Sequence, residues 1–446
     1  MARIAASGGV LLAATATGAK AQYVPSYFQP GVPGYDRELG VTVLTRQRPL
    51  YEAPGIQVGG FTVQPSLDET IGYNSNLLGT NNSGSWLLET NPSVLATSNW
   101  SRNRLGASVS ADNLHYFNLP NQSLTNWNLS LGGGYTIGES DLTLAYSHLG
   151  LHEVPTQVGS GATLAPIPFS VDDFRSDYTF VFGRFSLTPN VEFSLYRYGN
   201  TTVPNGSTGL ISHSFADANV LQGGLALRYG EANERNLLLV VQGIDARFPH
   251  PLAGTPSPDS TSVVVLGGID YRASGVFRYQ LLVGASVRNF SSPQFQDQVE
   301  PVARADLIWT PTLLTTVSGT LIRTIQNPVQ AGNSGFTYTS AQLHVDHELR
   351  RNILLQGRAG VTNASYFQHG GNQTEYSLGG SVTWLLNRNV RLVGSYDYNK
   401  FNGSGSPTAL AAANAANAVI TGNANSFVNL GAFSQNVALL TLHFGI

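Results

Sequence analysis
One run of strict two-residue alternation, Tyr376 to Tyr398, most constrains what this chain can fold into. Tyr376, Leu378, Gly380, Val382 and Trp384 fall on one face of the first arm. Glu375, Ser377, Gly379, Ser381 and Thr383 fall on the other. After the turn Leu386-Asn387-Arg388-Asn389, the apolar face resumes with Val390, Leu392, Gly394, Tyr396 and Tyr398. Arg391, Ser395, Asp397 and Asn399 oppose it, with Val393 the exception. A period of two means strand. The aromatics separate this hairpin from a half-buried soluble one. Trp384 sits near the turn, and Tyr376 and Tyr398 sit at the far end of the apolar face. Eight residues at about 3.3 Å rise, tilted by about 40°, span roughly 20 Å. That is close to the apolar band of a membrane barrel, with an aromatic girdle at each rim.

The hairpin is one of a series. Short polar turns are read at Ser101-Arg102-Asn103, Gly138-Glu139-Ser140-Asp141, Thr188-Pro189-Asn190 and 230–234. Further turns are read at 272–275, Thr310-Pro311-Thr312, Arg350-Arg351-Asn352 and Asn387-Arg388-Asn389. They recur roughly every 37 to 49 residues, room for two strands and one longer loop. The expected fold is an all-β, transmembrane, antiparallel up-and-down barrel of about 18 strands, with about 16 as the alternative. Short turns would be periplasmic and long loops extracellular. The final strand, Val437 to Ile446, carries Ala438, Leu440, Leu442, Phe444 and Ile446 on one face. Faces around 235–247 and 313–325 are ambiguous.

Composition fits this fold. Only 11% of the 446 residues are charged, about half the usual share of a soluble chain. No apolar run approaches the roughly 20 residues of a membrane helix. The net charge of −3 points to neither nucleic acid nor strong electrostatic steering. Cysteine is absent, which removes disulfides, thiolate metal sites and thiol nucleophiles. A solenoid would show a repeat of about 20–30 residues, and none is visible. Residues 1–21 read as a signal peptide ending in Ala19-Lys20-Ala21. Residues 22–60 read as an irregular periplasmic segment or a strap in the barrel mouth, and 61–446 as the barrel. The Ala- and Asn-rich loop 404–430 reads as a mobile loop or a constriction.

The motifs Arg48-Pro49-x-Tyr51, Pro54-Gly55-Ile56-x-Val58-Gly59-x-Phe61, Pro65-Ser66-Leu67 and Gly72-Tyr73-Asn74-x-Asn76 resemble the entry of the putative β-barrel porin 2 family, as does Trp100-Ser101-Arg102. The resemblance implies an outer-membrane β-barrel of Gram-negative bacteria. It also implies an association with capsule or exopolysaccharide export, although the family has no single established substrate.

Charges must face the lumen, because one facing lipid near the midplane costs about 2–4 kcal/mol. The expected pore-lining residues are Arg104, Asp112, Asp173, Arg175, Asp177, Glu192, Tyr196, Tyr198, Arg278 and Arg288. Glu300, Arg304, Asp306, Asp346, Glu348, Arg358, Glu375, Arg391 and Asp397 complete the set. Such mixed charge tunes selectivity or forms interior salt-bridge ladders. Tyr196 and Tyr198 with Glu192 are the best place for sugar stacking. His344 and His347 point to opposite faces of a strand, so they cannot share a metal. His115, His148 and His152 are expected near the outer rim. Neither a nucleophile elbow nor a phosphate-cradling loop is present, so no enzyme, cofactor or metal is expected. The expected function is an outer-membrane channel for polar solute or polymer, an exopolysaccharide export conduit through the resemblance. The alternatives are a general diffusion porin and a non-channel structural or adhesin barrel. Expected partners are outer-membrane lipid, the barrel-assembly machinery and polysaccharide export components.

Overall fold
The computed structural model describes residues 28, 31–35, 40–80, 83–160, 165–202, 210–230, 235–252, 254–271, 275–327, 333–367, 371–404 and 431–446. The signal peptide and loop residues 405–430 lie outside the described residues, as do turn residues 231–234 and 272–274.

The barrel strands are β1 Phe61–Asn74, β2 Ser85–Ser98, β3 Arg104–Tyr116, β4 Leu124–Ile137, β5 Ser140–Glu153 and β6 Ile167–Phe182. They continue as β7 Phe185–Tyr198, β8 Ala218–Gly230, β9 Arg235–Arg247, β10 Ser260–Tyr271, β11 Phe277–Phe290 and β12 Gln298–Thr312. The last six are β13 Thr315–Gln326, β14 Phe336–Arg350, β15 Ile353–Tyr366, β16 Asn372–Leu385, β17 Val390–Ser404 and β18 Phe433–Gly445. Each pairs antiparallel with its chain neighbours, and β18 pairs with β1 from Gly445↔Ser66 to Val437↔Asn74. That last ladder closes the barrel, so no strand edge is left for lipid to solvate. A three-residue strand, Ile56–Val58, hairpins onto the start of β1.

The faces follow the alternation. Leu129 and Leu131 on β4, Val283 and Val287 on β11, and Leu378 and Val382 on β16 are exposed on the outer wall. The two ambiguous strands resolve the same way. On β9, Leu237, Leu239 and Val241 point out, and β13 pairs Val317 with the exposed Val345. Aromatic pairs mark both rims. Tyr73 meets Trp86 at the outer end, and Phe277 stacks on Trp309 at the periplasmic end. An arginine at Val241, midway along β9, is expected to cost about 2–4 kcal/mol in a lipid-vesicle folding assay. Arginine at the adjacent lumen-facing Gln242 should cost a small fraction of that. Equal costs at the two positions would refute the assignment of faces.

Two of the expected turns are misplaced. Thr188-Pro189-Asn190 lies inside β7, and the chain reverses at Gly183-Arg184, where Gly183 has φ +62°. Pro189 lacks an N–H, so the ladder to β6 skips from Asp177↔Asn190 to Phe180↔Leu187 without ending the strand. The Thr310-Pro311-Thr312 signal likewise marks a register shift at the end of β12, and the turn itself is Leu313-Leu314. Two exposed leucines at the membrane edge carry no turn signal.

Candidate functional site
The lumen is crossed at two heights. The described part of residues 28–53 packs against inward faces of the wall. Phe28, Val32 and Tyr35 are buried against Ala145, Leu149 and Leu151 of β5 and Phe169 and Val171 of β6. Val43 and Leu44 are buried against Leu354 of β15 and Leu385 of β16, on another part of the wall. This strap therefore reaches from β5–β6 to β15–β16. Its apolar side chains find their cover on inward residues that break the polar-inside rule. Gly106 and Gly132 let it press close, since a Cβ at residue 132 would overlap the Pro33 carbonyl.

Three polar anchors fix the strap. The Tyr35 hydroxyl donates to Asp173 Oδ1 at 3.2 Å and to the Asp173 carbonyl at 3.1 Å. Burial, and then the Asp173 charge, push this hydroxyl well above the usual phenol range, so it stays a donor. The Val43 N–H donates to Thr316 at 3.1 Å. Glu348 on β14 accepts from Arg46 and, at 2.9 Å, from Arg48. Arg48 also donates to the Val43 carbonyl at 2.7 Å, so the clamp ties strap to strap as well as to the wall.

The second crossing lies near the extracellular rim. The β5–β6 connection carries Val158 into a buried cluster with Phe336 and Tyr338 of β14, Ala364 and Tyr366 of β15, and Phe401 of β17. Gly159 N–H donates to Gln373 at 2.9 Å. The described part of the loop thus reaches from β5 to strands six to nine places away around the closed barrel.

The inward wall is polar and largely paired. Asp173 is 1% exposed and is the hub of the β6–β7 wall. It accepts from Arg175 at 2.7 Å and from Ser194 at 2.9 Å. Arg175 reaches on to Glu192 at 3.1 Å and lies 4.5 Å over the Phe28 ring and 4.9 Å over the Tyr35 ring. Asp177 is within electrostatic reach of Arg104. Asp112 forms a carboxyl pair with Glu89 on β2. On the other wall, Arg358 donates to both oxygens of Asp397, at 2.7 and 2.8 Å, and to Gln356 at 3.1 Å. Gln356 donates to Asp346 at 2.9 Å. Arg304 pairs with Asp306 at 3.1 Å, and Glu300 with Arg323 at 3.0 Å. Arg288 is buried and donates to Ser260 at 2.9 Å and to Asn327. Arg278 lies against Gly40 of the strap, and Glu375 is buried on β16. Arg391 stands 3.3 Å from His443, which pairs with Asp68 at 2.6 Å.

The structure therefore gathers Asp173, Arg175 and Glu192 into one cluster, and Asp346, Arg358 and Asp397 into another. Tyr196 and Tyr198 do not form an open stacking platform. They pack against the buried cluster that holds Phe28 and Tyr35, and Tyr198 stacks on Phe169. Sequence reasoning missed Asp68, Glu89, Arg228, His443 and the strap residues Tyr35, Arg46 and Arg48. Arg228, 3.4 Å from Asp270, was legible from alternation on β8. The strap residues have no period to read. His148 pairs with Asp172 at 2.7 Å and stacks under Trp127, on the outer face near the extracellular rim. His115 lies 3.4 Å from Ser123, and His152 lies 3.1 Å from Asn126. Among the described residues, no group of three His, Cys, Asp or Glu could hold a metal ion.

Comparison with known proteins gives one family. The family model described as putative beta-barrel porin 2 matches residues 48–420. No curated protein matches the chain. Among solved structures, OccAB3 of Acinetobacter baumannii is similar at 10% identity and TM-score 0.44, over 87% of this chain and 100% of that one. OccK1 (OpdK) of Pseudomonas aeruginosa is similar at 11% identity and TM-score 0.43, over 86% of this chain and 98% of that one.

Proposed function
The chain belongs to the putative β-barrel porin 2 family and is an outer-membrane porin-like β-barrel, and from that premise we propose that it is a narrow, cation-preferring channel for small polar solutes. The observation that carries this reading is the double crossing of the lumen by the strap and by the β5–β6 loop. An 18-strand barrel left empty would enclose a wide aqueous channel. Here both crossings are anchored in buried apolar clusters. A polymer conduit needs an unbroken bore, so polysaccharide export is not favoured. Free general diffusion is disfavoured for the same reason.

The sign of the selectivity comes from the wall. Strands β1 to β7 turn Asp68, Asp173, Asp177, Glu192 and the Glu89–Asp112 pair inward, the pair sharing one proton, against Arg104 and Arg175. The inward charges of β8 to β18 come closer to balance, and the strap adds Arg46 and Arg48 on that side. Field lines in a low-dielectric bore concentrate the counter-ion of the net charge.

Reversal potentials across a planar bilayer in a KCl gradient test the reading. Potassium should permeate better than chloride. Asp177→Asn together with Glu192→Gln should move the reversal potential toward zero. A chloride-preferring pore would refute the proposal, and so would a double variant with an unchanged potential.

A further inference from the structure
Where β18 closes on β1, at the periplasmic end of the lumen, lies a cavity of about 110 Å³. Tyr51 and Glu52 of the strap wall one side of it, and Ser66, Ser93, Ser108 and Arg391 the other. Three observations describe what it would hold. First, Ser108 is 5% exposed and its hydroxyl has no hydrogen-bond partner. A buried hydroxyl left unpaired is a cost that an occupant would relieve. Second, Ser66 and Ser93 sit hydroxyl to hydroxyl at 2.7 Å, a pair that uses one proton and leaves the other, with lone pairs, for a ligand. Third, the charges at the site are already matched. Arg391 is within electrostatic reach of Asp68 and Glu52, His443 pairs with Asp68 at 2.6 Å, and Arg388 lines the same cavity, so two carboxylates stand against two guanidiniums. A charged ligand meets no surplus of opposite sign, whereas a neutral one with several hydroxyls finds donors and acceptors at short range. The Tyr51 ring adds an apolar face of the kind that C–H groups cover.

We propose that this cavity is a binding site for a small neutral polyhydroxylated solute, a polyol or one sugar unit. A cavity of roughly 150 Å³ admits a six-carbon ring in other proteins. The present one holds a short polyol whole, or one edge of a sugar ring. The site deepens the channel reading and rests on it only for how the solute arrives.

Saturation-transfer NMR on the full chain in detergent micelles is the test, with erythritol and glucose as probes and glutamate and lysine as charged controls. Erythritol and glucose should receive saturation, and the charged controls should not. Ser108→Ala should weaken erythritol binding by about fivefold, the value of one neutral hydrogen bond. The same variant should raise the melting temperature of the empty barrel, because it removes an unpaired buried hydroxyl. A structural serine would do the opposite on melting. Arg391→Lys, which keeps the charge and loses the planar fork, should also weaken erythritol binding. Equal transfer to all four probes would overturn the proposal, and so would unaltered erythritol titrations in both variants. Because NMR reads binding without current, a barrel that binds erythritol but does not conduct sinks the channel reading alone. A conducting barrel that ignores erythritol sinks this one alone.

Discussion
Deleting residues 28–53 is expected to raise single-channel conductance by roughly two- to fivefold, since an 18-strand barrel without its strap has a wide aqueous bore. The strap is held by apolar burial at two separate places on the wall and by the clamp of Arg46 and Arg48 on Glu348. Two milder variants act on the same element without removing chain. Gly132→Val forces a side chain into the space the Pro33 carbonyl occupies. Glu348→Ala removes the shared acceptor of both arginines. Each should give larger, noisier open levels than the parent, because part of the strap is released while the rest stays docked. Conductance that matches the parent in all three variants would show that the strap does not narrow the path.

The second large effect is on stability. Asp173→Ala is expected to cost about 3–5 kcal/mol, because it removes one side of a buried ion pair and leaves Arg175 with Glu192 alone. Asp173 is 1% exposed, and it also accepts from Ser194 and Tyr35. Asp173→Asn keeps part of that hydrogen bonding and should cost less. Urea unfolding in lipid vesicles, followed by tryptophan fluorescence, gives the numbers. Tyr35→Phe alone should cost about 1 kcal/mol, the worth of one hydrogen bond. Combined with Asp173→Ala it should add almost nothing, because both changes act on the same contact. A loss below about 1 kcal/mol for Asp173→Ala would mean that water, not the strap, surrounds this carboxylate.

Some features were readable from residue types and others were not. The hairpin from Tyr376 to Tyr398 was readable, because alternation and aromatic placement are local properties of a strand in lipid. The expected inward charges rest on the same contrast. A charge that cannot face lipid has one other side to face, so Arg175, Arg358 and Asp397 were placed without knowing their partners. Turn positions were readable where the turn is polar. They were misread at Pro189 and Pro311, because proline signals a lost hydrogen bond as well as a reversal. The partners of the charges were not readable. Arg358 meets Asp397 across β16, a neighbour set by register and side-chain reach.

The exceptions to alternation held the most misread information. Val393 on β17, and Leu282, Val302 and Ile308 on the polar sides of β11 and β12, looked like noise. Leu149, Val171, Leu354 and Leu385 show what inward apolar residues do, since the strap packs on them.

Residue order alone determined the barrel, its strand number and its lipid face. Each of these depends on a chemical contrast between neighbours two residues apart, in a medium that punishes mistakes by kilocalories. Tertiary structure alone decided that the bore is crossed by the described parts of residues 28–53 and of the β5–β6 loop. An aperiodic, proline-rich segment carries no local signal for where it docks. Its position is set by complementary surfaces hundreds of residues away, which exist only once the barrel has closed.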